Sequence, residues 1–294
     1  MAVAGVVSAC VPGARAEGAG EFAELQDRHG GALVTVKFVL KLEGQFGNRE
    51  SEVEVTGAMI DPSGLVLCGN SRLGMPSFMR RFGNATPTDL KVLVGDDTEG
   101  LKARVLARDT ELDLAWVQIT EVGKLKFPYL DLGSSAVPAP GDRLLSIRRM
   151  AKYFDRAMTV SEGRLAGKTR KPRDLYIPSG SMTIEPGLPV FTPDGRVVGV
   201  AVLQLPDDEE QQANPLAFAG IGRDIANGLI LPCEEVRRAT ARARQTAASD
   251  EEEGDSPPAD EPAADKQREL TPKPDAGPAR KVKPPPEDEE EGEE

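Results

Sequence analysis

The chain has 294 residues, enough for one large or two modest domains. Its formal charge is −12, but residues 249–294 alone hold 17 acidic and 6 basic side chains, a net of −11, which leaves −1 for everything before them. A near-neutral body gives no support for a nucleic-acid footprint, which needs a clustered basic face. At 4% aromatic residues it also lacks the stacking platform that single strands require.

The first ten residues, Met1 to Cys10, form a short apolar run, and Ala14-Arg15-Ala16 reads as an A-x-A cleavage signal. No positive n-region precedes the run. Residues 1–20 are therefore read either as a signal peptide or as a flexible N-terminus. Export to the periplasm or cell envelope is the expectation, with the cytoplasm as the alternative. Val7-Ser8-Ala9-Cys10 resembles a lipoprotein box, which would place a lipid anchor on Cys10. No later run reaches the ~18 apolar residues of a membrane span.

Residues 21–231 read as a series of short strands. Ala32–Leu40 is β-branched and partly alternating, and Glu52–Thr56 alternates strictly. Gly64–Cys68 follows the turn signal Asp61-Pro62-Ser63-Gly64. Further candidates are Leu90–Val94, Lys102–Ala107, Leu114–Ile119, Arg143–Ile147, Thr159–Leu165 and Val197–Val202. Short strands at regular spacing predict an all-β sandwich or barrel.

Residues 232–247 change character. Glu234 and Glu235 come first and Arg237, Arg238, Arg242 and Arg244 later, an order that suits a helix dipole. The expectation is a short C-terminal helix docked on the barrel. Residues 248–294 hold nine prolines and almost no large apolar side chains, which predicts a disordered acidic tail.

The reactive residues are few. Cys10, Cys68 and Cys233 match no metal spacing. Cys68 reads as a small apolar strand residue rather than a thiol nucleophile. The only histidine is His29, so a multi-histidine zinc site is excluded. His29 is expected in an exposed turn, Arg28-His29-Gly30-Gly31. Nothing implies a metal or a cofactor.

Four ordered segments resemble the trypsin-like domain of the high-temperature-requirement (HtrA/Deg) serine proteases. They are Val53–Leu67, Asp109–Ile119, Gly141–Ile147 with Thr159–Leu165, and Ile184–Phe191 with Asp194–Val200. Phe218–Asp224 is similar to the family's closing strand. The resemblance spans roughly Leu33 to Ile230. It implies a double six-stranded β-barrel, and the residues beyond read as helix and tail rather than a PDZ domain.

The same resemblance locates the machinery of proteolysis: a serine nucleophile, a histidine base and an aspartate that orients the histidine. The family's T-N-A-H stretch aligns with Cys68-Gly69-Asn70-Ser71, so Ser71 stands at the histidine position. Asp113 stands at the triad aspartate. The family's P-G-N-S-G-G-P loop aligns with Pro186-Gly187-Leu188-Pro189, so Pro186 takes the serine position, or a three-residue deletion removes it. Gly187, Leu188 and Pro189 then form a degenerate oxyanion loop. Ser179 and Ser181, just upstream, read as ordinary turn residues rather than relocated nucleophiles.

The expectation is a catalytically inactive homologue that binds an extended peptide or a protein partner. The alternative is an active HtrA-type endopeptidase with rearranged residues, through Cys68 or Ser181. The sequence names no partner and no oligomeric state.

Overall fold

The computed structural model describes residues 19–44, 48–74, 83–204 and 228–254. Among them, twelve strands close into two six-stranded barrels, all of whose paired strands run antiparallel. The first barrel contains β1 (Leu33–Gly44), β2 (Arg49–Asp61), β3 (Leu65–Gly69), β4 (Gly83–Leu93), β5 (Leu101–Asp109) and β6 (Leu114–Ile119). The second contains β7 (Arg143–Arg149), β8 (Met158–Thr169), β9 (Leu175–Ser179), β10 (Pro189–Phe191), β11 (Val197–Val202) and β12 (Leu229–Pro232). Closure removes most of the unpaired sheet edges that would otherwise seek partners. The predicted double barrel is thus the observed one.

Local chemistry explains the strand ends. Between β2 and β3, Asp61 accepts the Ser63 amide on its Oδ1 at 2.8 Å and the Gly64 amide on its carbonyl at 3.1 Å. Gly64 sits at φ +87°, a conformation that only glycine adopts without strain. β3 and β11 are buried along their whole length, so they read as continuous apolar runs rather than alternating ones.

Packing divides the apolar residues in two. The interior of the second barrel holds Leu144, Leu165, Tyr176, Val190, Val198 and Ile230. A larger cluster fills the first barrel and continues through Leu145, Ile147, Phe191 and Leu231 of the second. Opposite faces of β7 and β11 thus serve different cores.

Among the described residues, two helices pack on the barrels. The first, α1 (Ala19–His29), replaces the strands expected from residue 21 onward and extends into the segment read as leader or flexible terminus. Its sequence supplies Phe22 and Leu25 one turn apart, Glu21 in the first turn and Arg28 in the last. Leu25 is buried in the main core. One short apolar stripe was too brief for the period to stand out.

The second, α2 (Cys233–Gly254), begins where expected but runs on past residue 247. Val236, Ala239, Ala243 and Ala247 recur every three or four residues and are all buried. Trp116 of β6, almost fully buried, donates its Nε1–H to Thr240 Oγ1 at 3.0 Å. Arg244 pairs with Asp61 at 2.6 Å. The helix is therefore docked on the barrels, as its composition suggested. Among the described residues, no helix is long and apolar enough to cross a membrane. The segment around Cys10, the Phe218–Asp224 strand and the tail beyond Gly254 lie outside the described residues. In the described structure, β12 fills the place between β9 and β11.

Candidate functional site

Ser71 and Asp113 meet where the first barrel faces the second. Ser71 lies in a 3-10 turn, Asn70–Arg72, that follows β3. Asp113 immediately precedes β6, at φ +56°, a left-handed conformation that aspartate tolerates better than most side chains. Its Oδ1 accepts the Ser71 amide at 2.7 Å. Its Oδ2 accepts the Ser71 hydroxyl at 3.0 Å and the Leu203 amide at 3.0 Å. Leu203 follows β11, so this carboxylate ties the two barrels together. Burial pushes the Asp113 carboxyl above the usual range, against the pull of the three donors.

The Ser71 hydroxyl is therefore a donor to a carboxylate and has no base to take its proton through an imidazole. Serine itself does not act as a base near neutral pH.

Pro186 to Pro189 form a tight turn rather than an open cradle. The Gly187 amide donates to the Ala201 carbonyl at 2.7 Å, and the Leu188 amide to the Glu185 carbonyl at 3.0 Å. Pro189 has no N–H to offer and begins β10. The Leu188 side chain is buried. An oxyanion hole needs backbone donors free and aimed at developing charge; in this turn both amides are already spent inside the fold.

The turn also lies directly on the end of β3. A Cβ placed on Gly69 would come within 2.7 Å of Pro186 Cβ and 2.8 Å of the Pro186 carbonyl oxygen. Gly187 sits at φ +90°, and a Cβ there would overlap the backbone of Cys68 and Gly69. Two glycines facing each other permit this close approach. The space beside Gly69, at the end of β3, is thus occupied by main chain.

The other candidates stand apart from Ser71 and Asp113. His29 ends α1, where it stacks on Phe191 at 4.7 Å between ring centroids and bonds the Gly195 carbonyl through Nε2 at 2.8 Å. It is half-buried, not the exposed turn residue expected, because α1 carries it down onto the β10–β11 hairpin. Arg28 beside it donates to the Asp194 carbonyl at 2.7 Å, completing the clamp. Burial lowers the His29 pKa.

Cys68 is fully buried, and its thiol is pushed up to about 12 by loss of solvent. At that value almost none is the thiolate that attacks or binds metals. Cys233 is likewise buried and pushed up to about 12. Ser179 Oγ donates to the Arg164 carbonyl at 3.3 Å. Ser181 is exposed.

Residues 55–200 match the family model of the trypsin-like peptidase domain. The chain carries a trypsin-like peptidase domain. The match runs from within β2 to within β11 and includes Ser71, Asp113 and the Pro186–Pro189 turn. It agrees with the two closed barrels. A search of curated proteins finds none that matches the chain.

The trypsin-like domain also has a cleft that sequence reasoning did not find. It has a volume of about 180 Å³ and lies between β2 of the first barrel and the end of β7 in the second. Glu54 and Thr56 line it on one side, Arg148 and Arg149 on the other, with Arg72 and Glu185 beside the turn. Arg156, in the β7–β8 loop, holds Glu54 with both nitrogens at 2.7 and 2.9 Å. Thr56 Oγ1 donates to the Arg149 carbonyl at 3.4 Å. The available signal was Arg148-Arg149, two charges in a row directly after an apolar strand core.

Proposed function

We propose that this trypsin-like domain is catalytically inactive and binds an extended peptide or protein segment. The observation that carries this reading is the Pro186–Pro189 turn, whose two amides are bonded to Ala201 and Glu185. A serine protease loses orders of magnitude in rate when either its nucleophile or its base is removed. Here Ser71 stands at the base position and Pro186 at the nucleophile position of the HtrA-type pattern.

Binding is supported by geometry beside the turn. Between Arg49 and Gly57, β2 pairs with β1 alone, because its pairing with β3 begins only at Ala58. An unpaired edge accepts an added strand through main-chain hydrogen bonds. Part of that edge, Glu54 to Thr56, lines the cleft. An exported protein of the cell envelope, using the barrels as a scaffold, is the setting that the N-terminal residues favour.

The test is direct. Purified full-length protein is incubated with unfolded casein and with a fluorophosphonate probe. Binding without hydrolysis and without labelling is the expected result. Hydrolysis that disappears in Ser181→Ala would replace this reading with an active endopeptidase of rearranged chemistry.

A further inference from the structure

The cleft between the barrels is unevenly charged. Glu54 is fully committed to Arg156, which holds it at two points. Arg149 donates its Nε–H to the Leu33 carbonyl at 2.9 Å and has no carboxylate within ion-pair distance among the described residues. Burial lowers its pKa, and Asp96 is the acidic group that opposes this. Arg148 is half-buried, and its side chain makes no hydrogen bond or ion pair among the described residues. Arg72 reaches Glu185 Oε1 only at 3.4 Å. The other oxygen, Glu185 Oε2, is buried and has no partner among the described residues.

The cleft therefore presents the Arg148 guanidinium without a carboxylate partner among the described residues, while the second oxygen of Glu185 is closed off from solvent. Apolar ligands would leave that guanidinium unanswered. A lysine or arginine side chain would meet three guanidinium groups. A phosphate would satisfy the arginines but press its double charge against Glu185. An acidic residue within an extended chain brings a single carboxylate to the arginines, while its main chain can pair with the open edge of β2.

We propose that the cleft selects an acidic residue of an extended peptide, whose carboxylate pairs with Arg148. Guanidinium and carboxylate fit each other as paired, charge-assisted hydrogen bonds. This rests on the peptide-binding reading above and names the residue class that the site prefers.

The experiment uses the full-length chain on an array of randomised extended octapeptides at low salt. Aspartate or glutamate is expected at one position, about tenfold over asparagine or glutamine. Arg148→Gln should abolish that preference while leaving the thermal melting point unchanged, since the Arg148 side chain has no hydrogen-bond or ion-pair partner among the described residues. The exposed Lys124→Gln, outside the cleft, should change nothing. Peptide binding without acidic preference, or a preference that survives Arg148→Gln, overturns the proposal alone. If no peptide binds, the peptide-binding reading falls with it.

Discussion

Replacing Asp113 by asparagine tests whether this residue now joins the barrels. Its carboxylate accepts two backbone amides on different oxygens, Ser71 on Oδ1 and Leu203 on Oδ2. An amide side chain has only one oxygen. In its better orientation, Asn would keep the Ser71 amide and donate from its NH2 to the Ser71 hydroxyl. The Leu203 N–H would then face a second donor. An orphaned buried donor costs about 1–3 kcal/mol. Asparagine tolerates the left-handed backbone at position 113, so conformational strain adds little. Relief from burying a charge offsets part of the cost, and a net loss of ~2 kcal/mol is expected. For a domain of this size each kcal/mol lowers Tm by roughly 2–4 °C, so the drop should be ~4–8 °C. The assay is thermal and guanidinium unfolding, with the slope of the chemical transition unchanged. The pH dependence follows from the raised pKa. Between the unfolded value near 3.8 and the higher folded value, the folded state binds more protons, so this group's contribution falls as pH rises through that window. The gap between wild type and Asp113→Asn should therefore be wider at acid than at neutral pH. An unchanged Tm with an unchanged chemical midpoint would refute the linking role.

Three further outcomes are expected. Ser71→His combined with Pro186→Ser restores both residue types, yet hydrolysis of casein should stay at the buffer rate because the Gly187 and Leu188 amides remain bonded to Ala201 and Glu185; measurable turnover would show that the turn opens. Gly187→Ala should prevent soluble expression or cost more than about 3 kcal/mol, whereas Gly141→Ala, at φ +96° with no atom within 4 Å, should cost only about 1 kcal/mol of backbone strain. His29 titrates below its ordinary value because it is buried against Phe191. The unfolded state therefore takes up its proton first, and stability is lost as pH falls from 6.5 toward the folded value. Wild type should lose more stability than His29→Gln between pH 7.5 and 5.5 in parallel melts; equal losses would remove His29 from the clamp.

Much of the fold was legible in the chain because β-strands announce themselves locally. Alternation in Glu52–Thr56, the Asp61–Gly64 turn and the run Val197–Val202 each encode their own conformation. The scarcity of histidine was also a matter of composition: His29 is the only one in the chain. The helix α2 was visible for the same reason, since its propensity and charge order are local. It extends to Gly254, and Ser249 to Glu253, with the composition of a tail as much as of a helix, do not mark its end.

What only the tertiary structure decided are relations between residues far apart in the chain. The sequence puts Ser71 and Asp113 at two positions of the HtrA-type pattern only by resemblance, and does not show that Leu203 donates to Asp113 from the other barrel. It shows that the Pro186–Pro189 turn lacks a serine, but not that its amides are spent on Ala201 and Glu185 or that it rests on Gly69. Arg148 and Glu185 are 37 residues apart by their numbering, and nothing local marks them as neighbours in one cleft. Identity and periodicity are properties of a segment, so they can be read in one dimension. A hydrogen-bond partner or an unopposed charge depends on which strands the barrels bring together, and that is settled only when they close.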